Sequence, residues 1–279
     1  MDFKSDMILG TVALNISDLK ASISYYTEII GLTLLSQTEK SAELGLKDNR
    51  YPLVRLEQGV ETESKTTHAG LYHLALLLPT RESLAQFIYN LIINKREIGG
   101  AGDHLYSEAF YFTDPDGNGI EIYADRPYET WDVHEDGLIT TATNAVNVND
   151  ILKEIKTPLW EGMPAGTIMG HVHLQVSDIE YTKAFYHDLL SFSIKTIIPR
   201  ALFMSRGLYH HQIGTNNWIG HTLPERPHTE SGMLYYTMRF ADVSKIVNLL
   251  QEKNYPVVTN KDGFFVADPN GIKIKLEQQ

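Results

Sequence analysis

The sequence predicts an α+β protein built from four βαβββ modules in two domains, and three observations carry that expectation. "GTVALNISDLKASISYYTEIIGLTLL", from Gly10, matches "GHVHLQVSDIEYTKAFYHDLLSFSIK", from Gly170, at an offset of 160 residues. "GLYHLALLLPTRESLAQFIYNLIINKREI", from Gly70, and "GMLYYTMRFADVSKIVNLLQEKNYPVV", from Gly232, repeat the same order of strand then helix. Each member of the second pair closes on an Asp-Pro and Asn-Gly turn that feeds an alternating strand, "FYFTDPDGNGIEIYAD" and "FFVADPNGIKIKLE".

In chain order, module one opens with an apolar alternating run that ends at Ser17-Asp18, side chains that accept from the first free N–H groups of a helix. An amphipathic stretch with the pair Tyr25-Tyr26 follows. Module two runs from Gly70 to the strand around Glu121. Module three repeats the cap as Ser177-Asp178 and the aromatic pair as Phe185-Tyr186, and module four begins at Gly232. Residues 127–168 lack the pattern and read as a linker with one short helix at about Asp150 to Ile155. The expected units are therefore 1–126, a linker over 127–168, and 169–279.

Composition narrows the function. Hydrophobic residues at 43% and charged residues at 21% allow a sizeable core. A formal charge of −11 and the lack of a dense basic run argue against nucleic acid and anionic membrane as partners. No segment reaches the roughly 18 apolar residues of a membrane span, and the N-terminus does not read as a signal peptide, so a cytoplasmic protein is expected. With no cysteine, a metal site would have to use imidazole and carboxylate, which suits Fe(II), Mn(II) or Zn(II). In "GHVHLQV", His171, His173 and Gln175 share one strand face, and Val172, Leu174 and Val176 share the other.

Four such modules resemble the vicinal-oxygen-chelate superfamily of glyoxalases, bleomycin-resistance proteins and extradiol dioxygenases, and most of all its two-domain catechol 2,3-dioxygenase-like members. The resemblance implies curved mixed sheets with helices on the convex face, and metal ligands from the first strand of each module and the last strand of some. At those positions modules two and three carry His73, Glu121 and His171, whereas modules one and four carry Thr11, Tyr235 and Lys273. Pairing module two with module three would assemble two histidines and one carboxylate in one cavity, a set that leaves metal positions open for a bidentate substrate and O₂. Typical two-domain extradiol enzymes take their ligands from the C-terminal half instead.

A strand histidine is more often packed or hydrogen-bonded than a ligand, so the case rests on the repeat. Glu121 between Ile120 and Ile122 would be costly to bury unpaired. His173 is expected to support the site without binding metal. The resemblance further implies that Tyr111, ten residues before Glu121, hydrogen-bonds substrate, and that His211 in "LYHHQIGTNNW" is an acid–base group. As strand neighbours His210 and His211 would face opposite sides, so at most one reaches the cavity. His104 is a candidate at the substrate entrance. The expected activity is extradiol cleavage of a small aromatic diol with O₂ at Fe(II), with Mn(II) or Zn(II) as alternatives. Other readings are hydroquinone cleavage, glyoxalase-type lyase chemistry, and a metal-free drug-binding resistance protein. A homodimer is compatible with all of them.

Overall fold

The computed structural model describes residues 5–47, 51–60 and 68–279. Module one comprises β1 (Met7–Ile16), helix α1 (Leu19–Ser24), β2 (Thr33–Gln37), β3 (Ser41–Gly45) and β4 (Val54–Gln58). Module two comprises β5 (Gly70–Leu77), α2 (Arg81–Ile93), β6 (Gly100–Asp103), β7 (Ser107–Thr113) and β8 (Gly119–Asp125). A short α3 (Val148–Leu152) lies in the connection, begun by Asn147, whose side chain accepts from the Asp150 N–H. Module three comprises β9 (Ile168–Gln175), α4 (Ile179–Lys183), β10 (Ser193–Ile198), β11 (Ala201–Ser205) and β12 (Ile213–Asn216). Module four comprises β13 (Gly232–Phe240), α5 (Val243–Glu252), β14 (Val258–Asn260), β15 (Gly263–Ala267) and β16 (Lys273–Gln278).

The described strands form two curled, mixed eight-stranded sheets. One runs β14-β15-β16-β13-β1-β4-β3-β2 and joins modules one and four; the other runs β10-β11-β12-β9-β5-β8-β7-β6 and joins modules two and three. Within each module the first and last strands are parallel, and modules meet antiparallel at β1–β13 and β5–β9. No described sheet is confined to residues 1–126 or to 169–279, so we keep those boundaries as a proposed division of the duplicated sequence.

Alternation explains the layering. Leu74, Leu76, Ile120, Ile122, Val172 and Leu174 point to one side of the sheet that joins modules two and three, and belong to a single buried cluster with residues of α2 and of the other sheet. The opposite, concave side is left for polar groups.

Two details differ from simple helix capping. Asp18 and Asp178 are the N-caps, while the N–H groups of Ser17 and Ser177 donate to Asp116 and Asn270 in the turns of modules two and four. Beyond α1 and α4 the chain widens into π-helical turns at Tyr25–Ile29 and Ala184–Leu189. From these, Tyr26 donates to the buried Asp114 at 3.1 Å, and Tyr186 reaches Asp268. The turns that launch β8 and β16 are thus each tied to the helix of the preceding module. Tyr26→Phe should cost about 1–2 kcal/mol, read as a lower urea midpoint at unchanged slope; an unchanged midpoint would mean this bond adds nothing.

Candidate metal centre

β5, β8 and β9 bring the three expected ligands together. In register across the sheet stand His171 on β9, Ala75 on β5, Glu121 on β8 and Tyr111 on β7, with His73 two residues before Ala75. Ala75 contributes only a methyl group between His171 and Glu121, packed with Ala109 and Tyr123. A Cβ at Gly170 would overlap the Tyr123 hydroxyl, and one at Gly119 the Tyr72 carbonyl. These glycines let the ligand strands lie close to their neighbours.

His73 Nε2 lies 3.0 Å from Glu121 Oε2, His171 Nε2 lies 3.3 Å from the same oxygen, and the two Nε2 atoms are 3.3 Å apart. All three residues are buried, at 6%, 3% and 2% exposure for His73, Glu121 and His171. Adjacent ligands on a six-coordinate ion with bonds of about 2.1 Å are roughly 3 Å apart, so the triangle fits a divalent first-row metal. Among the described residues, this is the one group of three such side chains whose ligand atoms converge.

Charge supports the fit. Burial drives His171 down to about 4, which leaves it a neutral donor. Burial alone would raise Glu121, but His171 and His73 outweigh it and hold the carboxyl well below its usual range. Burial likewise pushes His173 and His211 well below the ordinary imidazole value.

A pH dependence follows for the metal-free protein. His171 titrates near 6.5 when unfolded and near 4 when folded, so the unfolded chain binds more protons between those values. Stability is then complete above about pH 6.5 and falls as the pH drops toward 4, by on the order of 2 kcal/mol at pH 5 from His171 alone. His173 and His211 act in the same direction; Glu121, with its lowered value, loses its contribution only at lower pH. Urea midpoints at pH 7.5 and 5.0 measure this, and equal midpoints would contradict neutral buried histidines.

The triad opens into a cavity of about 990 Å³ whose wall includes His104, Tyr111, His173 and His211. His104 Nδ1–H donates to the Ala142 carbonyl at 2.8 Å, so Nε2 accepts from the Tyr111 hydroxyl at 2.7 Å. The Tyr111 oxygen keeps lone pairs for a cavity ligand, while burial and the Glu121 charge push its ionisation up. His173 Nε2 accepts from Asn216 Nδ2 at 3.0 Å, which occupies the lone pair it would need as a ligand.

Several expectations need correction. His210 and His211 are not alternating strand residues: they lie in a bend before β12, both buried, with their Nδ1 atoms 2.8 Å apart. Only His211 lines the cavity. The module-four counterpart of Glu121 is Lys275, not Lys273. Leu74 pairs with Ile120 as Tyr236 pairs with Ile274, so Glu121 corresponds to the residue after Ile274. There Lys275 is paired with Glu277 at 2.7 Å. The linker also reaches the site, with Thr141 and Thr143 in the wall and the Ala142 carbonyl holding His104.

The sequence pattern does not reveal Tyr72, Phe203 and Trp218. Tyr72 reaches the cavity because a register shift between Leu71 and His73 breaks the alternation of β5, and its ring stands 5.0 Å from that of His173. Trp218 follows β12 in a segment with no periodicity to read.

Paired modules forming two curled sheets, one of them enclosing a buried imidazole–carboxylate cluster, define the class of protein. The chain belongs to the Glyoxalase/Bleomycin resistance protein/Dioxygenase superfamily, whose family model matches residues 8–122 and 168–276. A Catechol-2,3-dioxygenase of Bacillus subtilis (strain 168) is 39% identical over 273 residues, covering 95% of this chain and 94% of that protein. Among solved structures, one from Bacillus subtilis subsp. subtilis str. 168 superposes with a TM-score of 0.64 at 12% identity, over 96% of this chain and 84% of that one. Glyoxalase I from Zea mays gives 0.59 at 17% identity, over 98% and 92%. Both structures share the fold. No helix among the described residues is long and apolar enough to cross a membrane.

Proposed function

We propose that this chain is an extradiol dioxygenase, opening a catechol-type ring with O₂ at a metal held by His73, Glu121 and His171. The observation that carries the proposal is the convergence of these three buried ligand atoms in one cavity with His104, Tyr111 and His211. The 39% identical catechol-2,3-dioxygenase supports it. Fe(II) is the metal proposed first, with Mn(II) and Zn(II) accepted by the same donors. When bound, such an ion orients a diolate beside O₂ and lets electron density pass between them.

The protein's own residues supply the rest. One carboxylate against a divalent ion leaves a centre of net charge +1, which suits an anionic diol. Tyr111, its proton given to His104, accepts a hydrogen bond from a substrate hydroxyl. His211 takes up a substrate proton at the ring nitrogen turned away from His210 and later returns it. Tyr72, Phe203 and Trp218 offer ring faces and edges to an aromatic substrate. A cytoplasmic setting belongs to the same proposal.

Oxygen uptake by anaerobically purified, Fe(II)-loaded protein on addition of catechol tests it, with the ring-opened product followed by absorbance. Uptake with stoichiometric product supports the proposal. Full metal content without uptake for either catechols or hydroquinones would sink it and favour glyoxalase-type chemistry.

A further inference from the structure

Behind the cavity, the buried His210 and the partly exposed Asp125 take no part in the ligand triangle or its wall. His210 is 1% exposed, and its ring lies 4.3 Å from Tyr106, 4.0 Å from Tyr209 and 5.2 Å from Trp131. Its Nε2 is 2.9 Å from Asp125 Oδ1, and its Nδ1 is 2.8 Å from His211 Nδ1. A carboxylate oxygen only accepts, so His210 donates from Nε2. An imidazole with one proton then has only a lone pair at Nδ1, and His211 must donate from its own Nδ1. His211 Nε2 is left bare.

We propose that Asp125 and His210 are positioning residues that hold His211 in its Nδ1–H form with the Nε2 lone pair turned into the cavity. A histidine whose second nitrogen is tied by a hydrogen bond has its tautomer and ring angle set by that bond. Left untied, an imidazole favours neither orientation so strongly, and half its turns present a donor where an acceptor is needed. The anchor sits at a telling place. Asp125 ends β8, four residues after Glu121, so the strand that carries the carboxylate ligand also carries the residue that orders His211. The aromatic packing around His210 keeps water from competing for the same bonds. What His211 then does in turnover rests on the dioxygenase proposal, whereas its tautomer does not.

The test uses full-length chain loaded with Zn(II), which is diamagnetic, and long-range proton–nitrogen spectra of ¹⁵N-histidine-labelled protein. His211 should show protonated Nδ1 and bare Nε2. His210→Phe keeps the ring packing but removes the acceptor, so this pattern should be lost; His210→Asn can place Oδ1 near the position of Nδ1 and should restore it. Asp125→Ala should act as His210→Phe does and serves if that variant fails to fold. Zinc near one per chain in each variant shows that the ligand triangle is intact. With Fe(II), kcat for catechol should fall about 10- to 100-fold in His210→Phe and Asp125→Ala, with KM nearly unchanged. A wild-type His211 protonated at Nε2, or a tautomer unaffected by both variants, would overturn the inference. If the spectra behave as expected but wild-type protein cleaves no diol, the positioning role stands and the dioxygenase proposal falls.

Discussion

Glu121→Ala should take the metal content from about one ion per chain to near zero, and diol-dependent oxygen uptake with it. Glu121 is the only charged member of the triangle and the one that touches both histidines, at 3.0 and 3.3 Å. Without it, two imidazoles would face a divalent ion inside a low-dielectric site with no anion to offset the charge. Folding should survive, because the alanine removes a buried carboxylate instead of stranding one. Metal analysis after anaerobic equilibrium dialysis, wild type beside variant, reads the effect directly. Wild-type metal content in the variant would place the ion elsewhere and remove the basis of the proposed function.

His211→Phe should leave the metal in place and lower kcat by about 10² to 10⁴, the usual range for loss of a general acid–base group. The replacement preserves ring contacts with His171 at 4.2 Å and Phe203 at 4.9 Å, so the cavity wall keeps its shape. The loss should exceed that of His210→Phe, which disorders the base without deleting it. Steady-state kinetics with metal analysis on the same samples separates the two effects. Depleted metal in His211→Phe would mean that the residue supports His171 and not the chemistry, and an unchanged kcat would remove it from the mechanism.

Much of this site is legible in the repeat. β1 and β9 differ chiefly at the cavity-facing positions Thr11/His171, Ala13/His173 and Asn15/Gln175, which shows where chemistry is kept, and parity puts His73, Glu121 and His171 on the same side. The illegible parts have local physical causes. The two turns close over the same span, Asp114 to Asn118 and Asp268 to Ile272, but Asn-Gly falls two residues earlier in "DPNGIK" than in "DPDGNGIE", so matching them on Asn-Gly slips the register by two residues and selects Lys273 over Lys275. The shift at Leu71/His73 carries Tyr72 to a face that strict alternation denies it. His210 and His211 sit in a bend, where period-2 logic does not apply. Ala142 contributes through its backbone carbonyl, which no side-chain pattern can advertise.

Because each sheet takes one module from either half of the sequence, the ligands are divided between halves: His73 and Glu121 precede the connection, and His171 follows it. Cut within that connection, the chain would yield two fragments, neither with a complete coordination set. In the proposed centre, a bound ion would act as a clasp across the β5–β9 seam. Free metal at a hundred times its dissociation constant would add about 2.7 kcal/mol to the joining of those halves. On the proposed ligand set, the nascent chain would lack the complete triangle until β9 had been made, which would place metal acquisition late in assembly.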